Sequence, residues 1–408
     1  MTTHQNHKLK KLPDYLQSQL RVFFTVDVVG STAYKQKNSQ NSELPNLEET
    51  LSPSSRKKYL HPQWHPPIAD LYHLFGSMFF KEWTSNKIEL KDSIGDTPEF
   101  WKAIGDEVGF TKRISSKWDI VVAIVAWRKA LLNFQKHIID KYNLNVKSAI
   151  WLAGFPIHNT EVVFQTQQSF PSKENSESST KPLDENDDYV INSLSPLKSF
   201  YKNKSKSNLI RDFVGPSIDT GFRIASKASP KKLILSVDLL YLLLQAKEKK
   251  PEQKAFQKIR QMAIELINDI GFDGKECFKG VLDGAPYPIF WIDQECIDPD
   301  KKEFNKFERQ LLGLEGERNA DNLQKYCAFF IKENAKFICD PYIVNAKQEL
   351  VLGEKPRDHE TRLKAIIQIV DWFDKETARR RSFQETSTNP KETIVGTNRI
   401  NNQEVSFE

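Results

Sequence analysis

Apolar and polar positions divide this chain into compact strands and helices broken by two long polar stretches. Residues 21–29 (RVFFTVDVV) are β-branched and aromatic, which predicts a buried strand stopped at the turn formed by Gly30, Ser31 and Thr32. Ser, Asn, Lys and Pro dominate 35–67, which predicts a long loop or insertion. Helical spacing returns over 68–83. Segments 99–104 and 107–114 flank Gly105-Asp106 and predict a β-hairpin with the aspartate at its turn. Residues 119–142 begin with an Asp, carry apolar residues at helical intervals and become basic towards the end, the signature of a helix. Residues 146–155 predict the following strand.

The second polar stretch, 165–207, is dense in Ser, Lys, Asn, Asp and Glu and predicts a mobile surface insertion. Order is expected again from 212. A helix is predicted over 218–228, a strand over 233–237, a helix from 239, and a closing strand pair over 279–281 and 287–292. Alternating strands and helices up to about residue 295 indicate one α/β or α+β domain. Residues 1–20 form a polar N-terminal segment. Residues 296–380 predict an appended helical extension, with helices at 323–339 and 361–379. The tail, 381–408, is polar enough to be disordered.

Composition changes this picture little. A net charge of +5 over 408 residues, with no concentrated basic stripe, argues against a nucleic-acid partner. Cys277, Cys296, Cys327 and Cys339 lack CxxC spacing and read as reduced thiols rather than a disulfide frame or zinc site. The N-terminus has no apolar signal core, and the longest apolar run, 120–127, is too short to span a bilayer. A cytoplasmic protein without a membrane partner is expected.

The chemistry concentrates in two acidic motifs. Asp27 stands in Phe23-Phe24-Thr25-Val26-Asp27-Val28-Val29-Gly30-Ser31-Thr32, and Asp106 in Lys102-Ala103-Ile104-Gly105-Asp106-Glu107. Alone, Asp27 could cap the next turn and Asp106 could be a hairpin-turn residue. Together, two carboxylates on neighbouring strand ends can hold two divalent cations, which suits phosphoryl transfer. Other candidates are poorer. His61, His65 and His73 lie among prolines without fixed geometry for a metal. Gly30-Ser31-Thr32 lacks the upstream glycine and the lysine of a P-loop. The run Arg379-Arg380-Arg381 reads as a helix C-terminal charge cluster.

The two motifs resemble the metal-binding motifs of class III nucleotidyl cyclases. A third resemblance lies in 211–224 (RDFVGPSIDTGFRI), where the family's spacing picks out Asp212, Asp219 and Arg223. The runs 151–156, 215–223, 279–281 and 287–291 are similar to the bacterial pyrimidine cyclases of the Pycsar antiphage system. The resemblance spans about 20–295, apart from the insertions. It implies an α+β, ferredoxin-like βαββαβ cyclase domain over 21–295, with insertions near 35–67 and 165–207 and the helical extension behind it.

For the site, the resemblance implies that Asp27, Asp106 and the backbone carbonyl of Val28 bind two Mn²⁺ or Mg²⁺ ions. Arg223 would stabilise charge developing on the α-phosphate. Lys102 and Asp212 occupy the base-reading positions, in the form usual for adenylate cyclases. Turn amides from Val29 through Gly30, Ser31 and Thr32 could cradle phosphates. Asp219 departs from the family's Asn; an ionised carboxylate can only accept, from a ribose hydroxyl or by holding Arg223. Tyr34 could narrow the pocket against purines or simply pack in the core. The family pattern implies a homodimer with sites between two chains, and a separate cyclic-nucleotide-activated effector. The expectation is a uridylate cyclase making cyclic UMP, with cytidylate cyclase next. Adenylate cyclase and a non-catalytic nucleotide-binding regulator remain as alternatives.

Overall fold

A computed structural model describes residues 13–39, 64–90, 95–165, 196–202, 209–247, 251–294, 303–304, 307, 311, 319–345, 347–356 and 358–387. Of the loop predicted over 35–67, residues 40–63 lie outside the described residues, and its described ends, 35–39 and 65–67, are helical rather than loop. Most of the 165–207 insertion and the tail beyond 387 also lie outside the described residues.

A seven-stranded sheet organises the molecule. Its strands are β1 (Gln19–Val29), β2 (Glu99–Ile104), β3 (Glu107–Ile114), β4 (Asn145–Phe155), β7 (Lys232–Leu235), β8 (Ile270–Glu276) and β9 (Tyr287–Asp293). They lie in the order β2-β3-β1-β4-β7-β9-β8, with β4 and β7 parallel and the other neighbours antiparallel. The first four strands follow the ferredoxin-like order implied above, and the class is α+β. β5 (Thr160–Gln165) and β6 (Leu209–Val214) form a separate two-stranded ribbon.

The alternation along β1 explains the layers. Val22, Phe24, Val26 and Val28 face one side, where Phe24 lies 4.9 Å from the ring of Trp127 and 5.5 Å from that of Phe79. That side is covered by helices. The cover begins with α1 (Ser31–Ser39), α2 (His65–Asp70), a π turn at Leu71–Phe75, α3 (Gly76–Glu89) and α4 (Lys117–Tyr142). It continues with α6 (Val237–Lys247) and α7 (Lys254–Asn268). Arg21, Phe23, Thr25 and Asp27 face the other side, covered by the ribbon and by α5 (Pro216–Ala225). α5 lies flush on β4 because Gly221 carries no Cβ; one there would meet Trp151 at 2.2 Å.

Several expectations need correcting. β1 begins at Gln19, with Tyr15 and Leu16 already buried, so 1–20 is not polar to its end. The helix expected at 68–83 runs further in both directions, from His65 to Glu89, with the π turn within it. The closing pair is β8 with β9; residues 279–281 form no strand. The predicted insertion at 165–207 is bounded by ribbon strands, and residues 196–202 are helical with Leu197 buried. The extension is not a separate layer: Cys327, Phe330 and Ile331 on α8 (Ala320–Glu333) and Ile343 on β10 (Ile343–Val344) join the main core. β11 (Leu350–Leu352) pairs with β10, and α9 (His359–Ser387) continues past 380. Arg379 therefore lies within a helix, not at its end.

Candidate active site

The strand register sets three charges in one row. Asp27 on β1 pairs with Glu107 on β3 and with Lys147 on β4. Lys147 Nζ lies 3.0 Å from Asp27 Oδ2. Burial raises the Asp27 pKa, and Lys147 only partly offsets this while the neighbouring Asp106 adds to it. Glu107 is raised by the same burial and by Asp27 beside it.

Asp106 arrives from the β2–β3 turn, where Gly105 takes φ +63°. The turn is stitched to the strand end by Val28 N donating to Asp106 O at 3.2 Å. Tyr72 from the π turn donates to Gly105 O at 2.9 Å. Ser31 Oγ donates to Asp106 Oδ2, and Lys35 Nζ lies 3.3 Å from Oδ1. Burial alone would raise Asp106, but these two donors outweigh it and hold its carboxyl below the usual range.

Gly30 takes φ +80° and lets α1 start immediately after the strand. The N-terminal amides of α1 thus open beside the two aspartates, a place suited to phosphate oxygens. Tyr34 packs against the core, its backbone N–H bonded to Gly30 O at 2.9 Å.

A cleft of ≈ 190 Å³ separates Thr25, Asp27, Glu107 and Lys147 from Phe222, Ala225 and Ser226 at the end of α5. Phe222 also borders the second cluster. There Lys102 Nζ lies 2.8 Å from Asp212 Oδ1, 4.3 Å from the Trp101 ring centre and 5.8 Å from that of Phe222. The positions expected to read the base therefore meet, although β2 and β6 are far apart in sequence.

Asp219 and Arg223 sit four residues apart on α5 with exposed side chains. Among the described residues, no side-chain hydrogen bond or ion pair joins them to each other, to Asp27 or to Asp106. The carboxylates and the arginine are thus not assembled into one constellation within one chain.

Sequence reasoning missed Lys35, Trp101 and Lys147. Lys35 follows Ser31 by one helical turn, a local signal. Lys147 meets Asp27 only through sheet register, which no local pattern carries. Val29 ends β1 and Gly30 makes the turn, while Ser31 and Thr32 open α1, a helix where only a turn was expected. Of the histidines, His65 and His73 lie on α2 and the π turn, and His61 is outside the described residues. Among the described residues no three His, Cys, Asp or Glu side chains form a metal cluster by themselves.

No protein-family model matches the chain, and no curated protein does. Among solved structures, the adenylyl cyclase CyaB from P. aeruginosa is similar at 11% identity and a TM-score of 0.32, over 68% of this chain and 94% of that one. The guanylyl cyclase Cya2 is similar at 12% identity and a TM-score of 0.32, over 67% and 92%. The guanylate cyclase domain of RhGC from Catenaria anguillulae, in complex with GTP, is similar at 10% identity and a TM-score of 0.29, over 68% and 97%.

Proposed function

We propose that the chain is a nucleotidyl cyclase that converts UTP to cyclic UMP and pyrophosphate. The observation that carries this reading is the convergence of Asp27 and Asp106 beside the N-terminus of α1. Their carboxylates crowd each other, and each already holds a cation, Lys147 on one and Lys35 on the other. Hard carboxylate oxygens that already attract cations fit divalent metal ions. Asp27, Asp106 and the Val28 carbonyl would hold two Mn²⁺ or Mg²⁺ ions, which acidify a ribose 3′-OH and neutralise a triphosphate when bound.

The chain's own residues supply the rest. The first amides of α1, around Ser31 and Thr32, hold phosphate oxygens by backbone donation. Lys102 and Asp212 meet the base with one donor and one acceptor. Attack of the 3′-oxygen on the α-phosphate forms the cyclic ester and expels pyrophosphate; Arg223 stabilises the charge that develops there. Because Arg223 and Asp219 point outwards, a second copy of the chain must bring them to the aspartates. A homodimer with two equivalent sites follows, and Asp219 would accept from a ribose hydroxyl. The product would act as a second messenger in antiphage defence through a separate effector.

The test is product formation by purified protein with Mn²⁺ and ATP, GTP, CTP and UTP supplied separately, read by mass spectrometry. Cyclic UMP supports the reading. Cyclic CMP keeps the mechanism and changes the base, whereas cyclic AMP moves the protein to adenylate cyclase signalling. No product from any nucleotide points to a non-catalytic regulator. Asp27→Ala and Asp106→Ala are expected to abolish turnover while the protein stays folded; unchanged turnover in either would remove the two-metal assignment.

A further inference from the structure

Trp101 has no role in the reading above, yet its surroundings single it out. The register between β2 and β3 slips between Phe100 and Lys102, leaving Trp101 without a partner on β3. Such a bulge re-aims side chains, here turning two successive residues towards the ribbon. The Trp101 indole is 7% exposed. It is enclosed by Phe23, Phe222 and Phe213, with ring centres 4.9, 5.7 and 5.9 Å away. Its one polar atom, Nε1, donates to Asp212 Oδ1 at 2.7 Å. The same oxygen accepts from Phe213 N at 2.8 Å and lies 2.8 Å from Lys102 Nζ. Among the described residues Oδ2 accepts only from Lys102, at 2.9 Å.

This distribution matters because each carboxylate oxygen has a limited set of lone-pair directions. Oδ1 is filled by the protein. Oδ2 keeps capacity for one more donor, beside an ammonium that keeps a donor of its own. We propose that Trp101 is a positioning residue for base recognition: its indole N–H, brought beside Lys102 by the bulge, orients Asp212 so that Oδ2 meets a nucleobase N–H. The inference rests on the cyclase reading and adds to it the residue that sets the base-reading geometry. Gly109, across from Lys102, makes the arrangement possible; a Cβ there would meet Trp101 Cε3 at 3.2 Å.

The experiment compares wild type with Trp101→Phe and Gly109→Ala, each verified as folded by circular dichroism. KM and kcat are measured separately for all four nucleoside triphosphates, and nucleotide binding is followed by isothermal titration calorimetry. Trp101→Phe keeps the ring and removes the N–H. It should raise KM for the preferred nucleotide about tenfold, the effect of losing a hydrogen bond to a charged group. It should also flatten the preference among bases while kcat stays within about threefold. Gly109→Ala pushes the indole without removing its donor and should shift KM the same way by less. If Trp101→Phe does not fold, Gly109→Ala decides. Unchanged KM and base preference in the folded variants, with active wild type, overturn this inference alone. A wild-type protein that neither binds nor converts any nucleotide overturns the cyclase reading and this inference with it.

Discussion

Lys112 and Asp119 meet with both side chains wholly removed from water, Nζ to Oδ1 at 2.7 Å. Burial lowers the Lys112 pKa, Asp119 works against that shift, and the ammonium also lies 4.7 Å from the Trp83 ring centre. Lys112→Met would strand a buried carboxylate and should cost about 3–5 kcal/mol in urea unfolding. The double change Lys112→Met with Asp119→Leu should recover much of that loss. Asp238 is a second costly group. Burial raises its pKa to about 6, against the pull of Ser236 and the Leu239 N–H. A carboxyl raised on folding stabilises the native state while protonated. Its contribution is complete below about pH 4 and is lost as pH rises through about 6. Thermal unfolding between pH 4 and 7 should therefore show a loss of roughly 2 kcal/mol from this group, absent in Asp238→Asn. The opening aspartate of 119–142 was legible as a helix-start signal. Its buried lysine partner was not, because β3 and α4 meet only in the folded chain.

Elements differ in how plainly the chain announces them. β1, the β2–β3 hairpin, α4 and β4 were legible within a few residues, since each carries an unbroken period and its own stop. The ribbon was not. TEVVFQ and LIRDFV alternate well enough, but they are separated by the long polar stretch, so no hairpin turn links them. β8 is disguised by Gly271, Asp273 and Gly274, which suggest a turn. Gly271 is there because a Cβ would meet Trp291 at 2.1 Å. α7 spaces Ile259, Ala263 and Leu266 at helical intervals, although the sequence expectations did not extend to it. The sequence singled out Asp27 and Asp106, which converge, and Lys102 and Asp212, which meet, whereas Arg223 lies apart from them in one chain. Contacts decided by sheet register or the bulge were illegible. The seat of α5 gives a test at this scale. Gly221→Ala should force α5 off Trp151, destabilise by about 1–3 kcal/mol and lower turnover by misplacing Arg223. Paired denaturation and activity measurements would separate the two effects.

For the molecule as a whole, the division of the candidate site between outward-facing α5 and the inward row of β1 makes a strong prediction. Asp27→Ala and Arg223→Ala proteins should each be inactive alone. Mixed in equal amounts and allowed to exchange, half the dimers are hybrids with one intact site in two. Activity should return to about a quarter of wild type, as a twofold-symmetric assembly requires. No recovery after verified exchange would place both groups in one chain's site. Among the described residues no helix is long and apolar enough to cross a membrane.

Ser18 Oγ lies 2.8 Å from His359 Nε2, and Tyr342 OH donates to Phe155 O at 3.1 Å. The start of the first strand and the end of the fourth thus wait for residues 341 and 187 positions further along the chain. A nascent chain leaving the ribosome can pair β1 with β3 and β4 early, but it cannot cover their shared end until the segment through 359 has emerged. During that interval the start of β1 and the end of β4 stand open to solvent. Shortening the protein from its C-terminal side would make that interval permanent.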